Sequence, residues 1–186
     1  VDAVIVVAEA EVAFALRRFS LVGLPDGIVK EAKDRVRCAI QSSGFEFPSG
    51  EVVVSLAPAW LPKLGSGFDL AFVISIFAAI GFVPQKRLER IVILGELSLD
   101  GSVRPVRGVI QAAIAASRLG GVVSREDSVP ANRAESEAIE LAVSPLNAAQ
   151  AACIKGVASI PVSTLLEAVM YLRGEADLRP WPSSAD

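Results

Sequence analysis

The sequence predicts an α/β domain, and three features lead to that class. Short runs of β-branched and aliphatic residues alternate with longer segments whose apolar residues recur every three or four positions. Gly, Pro, Asn and Asp mark the junctions between these segments. The 186 residues are 52% apolar, with a mean hydropathy of +0.50. Since a chain of this length buries roughly 70% of its unfolded surface, a core can form without disulfides or a structural metal.

The N-terminal part predicts two strands and a helix. Mostly β-branched residues indicate strands at Val1–Val7 and Phe19–Val22. A Gly-Leu-Pro-Asp turn follows, and its Asp26 offers a carboxylate to the free N–H groups of a helix predicted over Gly27–Ser43. The helix face opposite the apolar one carries four cations: Lys30, Lys33, Arg35 and Arg37. This charged face is either solvated or a surface for a partner or nucleic acid.

The next part predicts a covered strand and a central helix. Both alternating sets of side chains in Glu51–Pro58 are largely apolar, which indicates a strand covered on both faces. The loop after it contains Gly65 and Gly67, and Asp69 is predicted to cap a helix over Leu70–Ile80. Because this helix is apolar on all sides, we expect it in the middle of the domain.

A hairpin and a helix come next. Ile91–Leu99 is predicted as a strand, and the Asp100-Gly101 pair is a strong signal for a hairpin that returns through Ser102–Val106. A helix is predicted over Arg107–Leu119, ended by two glycines at 120 and 121.

The C-terminal part predicts weaker elements. Val122–Leu146 is polar and irregular, with a short helix at Asn132–Leu141. The other predicted elements are helices at Asn147–Ile154 and Ser163–Arg173 and a strand at Val157–Ile160. Residues 1–174 are thus predicted to form one domain, and 175–186, with two prolines and two serines, to form a linker to a further domain.

The composition excludes several kinds of site. The absence of histidine excludes a Ser-His-Asp triad, a Cys-His pair and His-ligated zinc or haem. No Gly-Lys dipeptide occurs, so the chain has no Walker A loop. The longest uncharged apolar run, Leu70–Val83, falls short of the ~20 residues that cross a bilayer. With no signal peptide visible, we expect a cytoplasmic location and no membrane partner. A net charge of -3 predicts weak non-specific DNA binding.

A Ser-Lys hydrolase is the enzymatic alternative. Ser66 lies between glycines just before a helix, where backbone N–H groups could form an oxyanion hole. Lys63 is the lysine nearest in sequence, but a loop position beside a hydrophilic turn offers little to desolvate its ammonium. The sequence therefore favours a structural turn.

Glu96 is a second candidate for acid-base chemistry. It could approach Asp69, although the sequence alone does not show this. A buried strand Glu usually accepts hydrogen bonds, and Arg104 and Arg107 are the nearest partners in sequence. The structural interpretation is therefore favoured.

Several ordered blocks are more specific than these patterns. They are LVGLPD at 21–26, KEAKDRVRCAI at 30–40, SGFEFP at 43–48, VSLAPAWLPKLGSGFDLA at 54–71 and LGELSLDGSVRPVRG at 94–108. Together they resemble the N-terminal domain of the ComM/YifB family of magnesium-chelatase-like AAA+ proteins, strongly over residues 1–121 and weakly over 161–175. The blocks contain ten structural positions of the family motif: Gly23, Pro25, Asp26, Gly65, Gly67, Asp69, Gly95, Glu96, Asp100 and Gly101.

The resemblance implies a fold and a setting. The fold would be that of the Lon protease catalytic domain, related to the second domain of ribosomal protein S5. The domain would precede an AAA+ ATPase module, which would bind ATP and Mg²⁺; no cofactor is expected in this chain. ComM-like proteins are implicated as hexameric DNA helicases that promote branch migration during natural transformation.

The resemblance also bears on peptidase activity. In the Lon-type alignment Gly67 stands at the position of the nucleophilic Ser, and Ile110 at that of the Lys. Both positions of the dyad therefore look empty. The segment Val122–Gly156 departs from the family's short link and is either an insertion or a divergent stretch.

We therefore expect a non-catalytic N-terminal module. Its partners would be its own AAA+ module, neighbouring subunits of a hexamer and DNA. The residues expected to contact DNA or a partner are Arg104, Arg107, Lys30, Arg35 and Arg37. The alternatives are a peptidase that uses Ser66 and Lys63, and a purely structural assembly domain.

Overall fold

The computed structural model describes residues 3–23, 25–126 and 138–183, with the backbone alone at residues 28, 30 and 120–126. The described residues form a mixed α/β domain of three small sheets and five α-helices. The strands are β1 (Val7–Ala13), β2 (Arg18–Val22), β3 (Glu51–Ala57), β4 (Ile91–Ile93), β5 (Glu96–Leu97), β6 (Val103–Arg104), β7 (Ile139–Val143) and β8 (Val157–Pro161). The helices are α1 (Gly27–Ser42), α2 (Asp69–Ala79), α3 (Val109–Glu126), α4 (Pro145–Ala152) and α5 (Leu165–Arg173).

The first sheet has the order β1-β3-β2, with β1 antiparallel and β2 parallel to β3. The predicted strand at Val1–Val7 is wrong over residues 3–6, because β1 begins only at Val7, opposite Ala57. The next residue of the partner strand is Pro58, which has no N–H to extend the ladder. Residues 1 and 2 lie outside the described part of the chain. The strand predicted at Phe19–Val22 is confirmed as β2.

The second sheet is fully parallel, with the order β4-β7-β8. Its central strand corrects the predicted short helix at Asn132–Leu141, because Ile139–Leu141 belong to β7. Residues 132–137 lie outside the described residues. Ala, Glu and Leu favour helices, but pairing on both edges and burial of Ile139 and Leu141 outweigh that preference.

The third sheet is the predicted hairpin, formed by β5 and β6. The predicted strand at Ile91–Leu99 is divided between two sheets, because the chain leaves β4 at Leu94-Gly95. Leu94 N still donates to Ala142 O of the second sheet at 3.0 Å, whereas Gly95 N donates to Gly67 O at 2.9 Å. A Cβ at Gly95 would lie 2.8 Å from Val103 Cγ1, so any larger residue at this sheet switch would have to displace the Val103 side chain.

Four predicted helices are confirmed with small shifts at their ends, namely α1, α2, α4 and α5. The predicted end of the fifth helix at residues 120 and 121 is wrong, because α3 continues to Glu126. Glycine lowers helix propensity by about 1 kcal/mol relative to alanine but does not by itself end a helix.

The main core surrounds α2, as its apolar sequence predicts. Buried side chains of α2, including Phe72, Ile74 and Phe77, join one cluster that takes residues from both three-stranded sheets. A smaller cluster lies between α3, α4 and β7. The segment after α5 also packs on the domain, since Leu178 contacts the core and Trp181 N donates to Ser159 O at 2.7 Å. The role of residues 175–186 as a linker stays a prediction.

Candidate functional site

A group of polar residues lies where the start of α1, the loop before α2 and the hairpin β5–β6 meet. Asp26 caps α1 as predicted, with Oδ1 accepting from Val29 N at 2.7 Å. Its Oδ2 accepts from Gly65 N at 3.3 Å, and its own N–H donates to Lys63 O at 3.2 Å. This one residue therefore fixes the loop before α2 against the beginning of α1.

Asp69 forms a buried ion pair instead of the predicted helix cap. It is the first residue of α2, and the preceding Phe68 takes the cap position without a side-chain hydrogen bond. Asp69 is 0% exposed, and its carboxylate accepts from Arg35 Nε at 2.8 Å and Nη2 at 3.1 Å. Leu97 N donates to the same carboxylate at 3.2 Å. The predicted cap is wrong because these donors hold the carboxylate away from the helix N–H groups.

Burial and charge act on the two members of this pair in ways that can be separated. Burial raises the pKa of the Asp69 carboxyl, the Glu96 charge acts in the same direction, and hydrogen bonds from Arg35 and Leu97 oppose the shift. The hydrogen bond to Asp69 raises the pKa of the Arg35 guanidinium. Glu96 directly precedes Leu97, whose N–H donates to Asp69, so Glu96 lies near Asp69 in space, a proximity that sequence alone could not establish.

Glu96 has a partner that the sequence did not predict. Ser66 Oγ donates a hydrogen bond to Glu96 Oε2, whereas Arg104 and Arg107 were the expected partners. Arg104 lies directly across the hairpin from Glu96, but its Nε donates to Ser98 Oγ. A hydroxyl that donates to a carboxylate is the geometry of a nucleophile beside a base.

Lys63 is buried, contrary to the expectation of a solvated loop lysine. The residue is 1% exposed, and Nζ donates to the Pro58 carbonyl oxygen. A buried ammonium needs such an acceptor because its desolvation is costly. Among the described residues no hydrogen bond joins Lys63 to Ser66, and each of the two has another partner.

The expected contact residues differ in how available they are. Arg104 and Arg107 are exposed at the hairpin and just after it. Arg37 is exposed on α1, with its guanidinium 5.0 Å from the centre of the Phe47 ring. Arg35 is held by Asp69 and its side chain is 21% exposed. The Lys30 side chain lies outside the described part of the chain.

The sequence analysis missed two arginines beside Arg37. Arg17 and Arg18 line a cavity of about 420 Å³ together with Arg37 and Phe47. The signal was present, because Arg17-Arg18 is the polar break between the first two strands. Only the fold brings this break next to α1.

The described residues show neither a cluster of metal ligands nor a membrane-spanning helix. No group of three or more Asp, Glu or Cys residues within the described ranges is arranged to hold a metal ion. No helix in those ranges is both long and apolar enough to span a bilayer.

Comparison with known proteins gives one family and several relatives. The family model described as subunit ChlI of Mg-chelatase matches residues 8–126. Competence protein ComM of Haemophilus influenzae is 35% identical over 178 residues, which cover 96% of this chain and 31% of that protein. The uncharacterized protein YifB of Escherichia coli is 40% identical over 120 residues, 64% of this chain and 24% of that protein.

A third relative bears on the segment predicted as an insertion or a divergent stretch. An uncharacterized protein of Mycobacterium tuberculosis is 38% identical over 187 residues, which cover 100% of this chain and 33% of that protein. The match includes residues 122–156, so this segment has a counterpart in that relative. The chain spans about a third of the length of the relatives that it matches over nearly its whole length.

Proposed function

Because the chain belongs to the family of Mg-chelatase subunit ChlI and is homologous to part of the ComM and YifB proteins, we propose that it is the non-catalytic N-terminal module of a ComM-type AAA+ ATPase. In this role it contacts DNA and neighbouring subunits while another part of the protein hydrolyses ATP. The observation that carries the proposal is the match of 96% of the chain to 31% of the competence protein ComM.

The proposal gives the chain a Lon-like scaffold, related to the second domain of ribosomal protein S5, without the reactive pair. Supporting this, Gly67 and Ile110 stand at the positions that the resemblance assigns to the Ser and Lys of the dyad. The nearby Ser66 hydroxyl donates to Glu96 and the Lys63 ammonium to Pro58 O. Both hydrogen bonds stabilise the local fold, which is a structural use of these groups.

ATP, Mg²⁺ and hexamer formation belong, on this proposal, to the remainder of the longer protein. The chain has no Gly-Lys dipeptide and hence no Walker A loop. The relatives are about three times as long as the matched region, which leaves room for an ATPase module. The proposed location of the whole protein is the cytoplasm.

DNA contact is tested at the two exposed arginines of the hairpin region. We expect Arg104→Ala with Arg107→Ala to weaken binding of a labelled 20-base-pair duplex to a similar extent for unrelated sequences, because phosphate contacts carry no sequence information. The slope of log affinity against log salt should fall by about 2. Fluorescence anisotropy at several salt concentrations measures both quantities.

The matched control is Arg179→Ala, which removes an exposed arginine from the C-terminal segment. A double variant that binds like this control would remove Arg104 and Arg107 from the DNA-contact surface. A purely structural assembly domain would instead show no duplex affinity in the wild type, while its deletion would change the oligomer of the full-length protein.

Serine hydrolysis is the second candidate, and the burial of Lys63 is the observation that favours it. The Lys63 side chain is held away from bulk water in the same loop that carries the Ser66 hydroxyl. Labelling by a serine-reactive phosphonate that disappears in Ser66→Ala would support this candidate. Absence of labelling in the wild type counts against it.

A further inference from the structure

Three arginines line a cavity whose walls do not include Arg104 or Arg107 of the hairpin region. Arg17 and Arg18 precede and begin β2, and Arg37 comes from α1, yet all three line one cavity of about 420 Å³. We call it the arginine cavity. Its other lining residues are Gln41, Phe45, Glu46, Phe47, Pro48 and Gly50.

The arginine cavity carries an excess of positive charge. It has three guanidinium groups and one carboxylate, that of Glu46, which leaves an excess of two. None of these arginines forms an ion pair with a described residue. Because the whole chain has a net charge of -3, the cavity is a local concentration of positive charge on an acidic protein. Guanidinium groups gathered in this way repel one another, and a bound anion relieves that repulsion.

The walls of the cavity are held by packing. The Arg37 guanidinium lies over the Phe47 ring, whose centre is 5.5 Å from that of Phe19. The Phe45 ring makes an edge contact with Phe77 at 5.2 Å between centres. Such packing limits the loss of side-chain freedom on binding, which favours affinity.

The backbone at the rim is also constrained. Arg18 N donates to Gly50 O at 3.1 Å. Gly50 has a φ of +123°, and a Cβ there would lie 2.3 Å from Ala13 O. The loop that carries Arg17 is therefore held against Gly50, which lines the cavity.

An exposed aromatic ring lies in the same loop. Phe14 is fully exposed and follows Ala13, whose carbonyl oxygen approaches Gly50 at the cavity. Arginine forks match the geometry of phosphate oxygens, and bases of a single strand stack on exposed aromatic rings. An acidic peptide would use the guanidinium groups but has no base to place on Phe14.

We propose that the arginine cavity, together with Phe14, binds the phosphate backbone and a base of a single-stranded nucleic acid. This inference rests on the proposed function and deepens it, because it assigns a strand type and a surface distinct from Arg104 and Arg107.

The test uses the 186-residue chain and a fluorescein-labelled oligothymidylate of 15 nucleotides. We expect the triple variant R17A/R18A/R37A to lose at least tenfold in affinity and about 2 in the slope of log affinity against log salt, because each single-strand phosphate contact contributes about 0.7. F14A should lose about fivefold or more, the effect of one stacked base. The double variant R17A/R18A leaves the Arg37–Phe47 contact intact, and we expect it to lose at least fivefold.

The matched control is R179A, which removes an exposed arginine outside both the cavity and the hairpin region. If the cavity variants bind the oligonucleotide like the wild type while R104A/R107A weakens duplex binding, the inference is overturned and the proposed function stands. If the cavity variants and F14A lose affinity for the oligonucleotide but deleting the domain from the full-length protein leaves DNA-stimulated ATP hydrolysis unchanged, the inference holds and the proposed function fails. Displacement of the oligonucleotide by poly-glutamate at lower concentration than by unlabelled oligonucleotide would overturn the inference in favour of an acidic protein segment.

Discussion

Asp69 connects three parts of the domain through one buried carboxylate. It starts α2, pairs with Arg35 of α1 and accepts from Leu97 N of β5. Removing one member of a buried pair costs more than the net stabilisation by the pair, because the other member loses its compensation. Asp69 is therefore a structural residue that joins α1, α2 and β5.

Replacing Asp69 tests this role. We expect Asp69→Ala to lower the free energy of unfolding by about 3 kcal/mol, because Arg35 and Leu97 N lose their acceptor. Urea titration measures the change, with Asp34→Ala on the exposed part of α1 as the control, expected to shift it by less than about 0.5 kcal/mol. Equal effects of the two variants would contradict the structural role.

The pH dependence of this effect has a definite sign. Because the pKa of Asp69 is raised in the folded state, the folded protein holds the proton more tightly than the unfolded chain. Protonation of Asp69 therefore stabilises the folded state. This stabilisation is fully present below the unfolded pKa near 3.9 and is lost as the pH rises through the pKa of the folded state. The free energy of unfolding of the wild type should therefore exceed that of Asp69→Ala by a smaller amount as the pH rises above about 4, which urea titrations at several pH values measure.

Among the elements, α2 and α3 show opposite relations between sequence and structure. The apolar sequence of α2 required burial on all sides, and the helix lies within the main core. The two glycines at 120 and 121 predicted the end of α3, yet the helical backbone continues to Glu126. Glycine ends a helix where the backbone takes a left-handed conformation, as at Gly174, the C-cap of α5 with a φ of +75°.

Alanine substitutions at Gly121, inside a helix, and at Gly174, at a helix C-cap, distinguish these two roles of glycine. We expect Gly121→Ala to raise the free energy of unfolding by about 0.5 to 1 kcal/mol, because alanine is favoured inside a helix. Gly174→Ala is the matched control and should lower it by about 1 kcal/mol, because the left-handed backbone penalises a Cβ. No atom lies within 4 Å of a Cβ at Gly174, so only its backbone conformation matters. Destabilisation by Gly121→Ala would indicate that α3 ends where the sequence predicted.

For the whole molecule, the main core takes side chains from two sheets that do not pair with each other. Val54 of β3 and Ala142 of β7 belong to the same cluster, with α2 among them. Neither sheet can lose α2 without exposing part of its apolar face. The domain should therefore unfold as one unit.

Differential scanning calorimetry tests this unity. We expect a single transition whose calorimetric and van't Hoff enthalpies agree, because the shared core couples both sheets. Two separable transitions, or a ratio of calorimetric to van't Hoff enthalpy well above one, would mean that the sheets are independent units. Phe72→Ala, which empties part of the shared core, should lower the melting temperature without splitting the transition.

The sequence by itself determined the features that depend on neighbouring residues: the Asp26 cap of α1, the hairpin at Asp100-Gly101 and the burial of α2. These follow from periodicity, capping and turn chemistry, which act over a few residues. Only the tertiary structure decided the contacts that join distant parts of the chain: the pairing of Arg35 with Asp69, the burial of Lys63 and the meeting of Arg17 with Arg37. Such contacts depend on how the elements pack in space. A polar group that burial removes from water forms its hydrogen bonds with whichever partner the packed elements bring within reach.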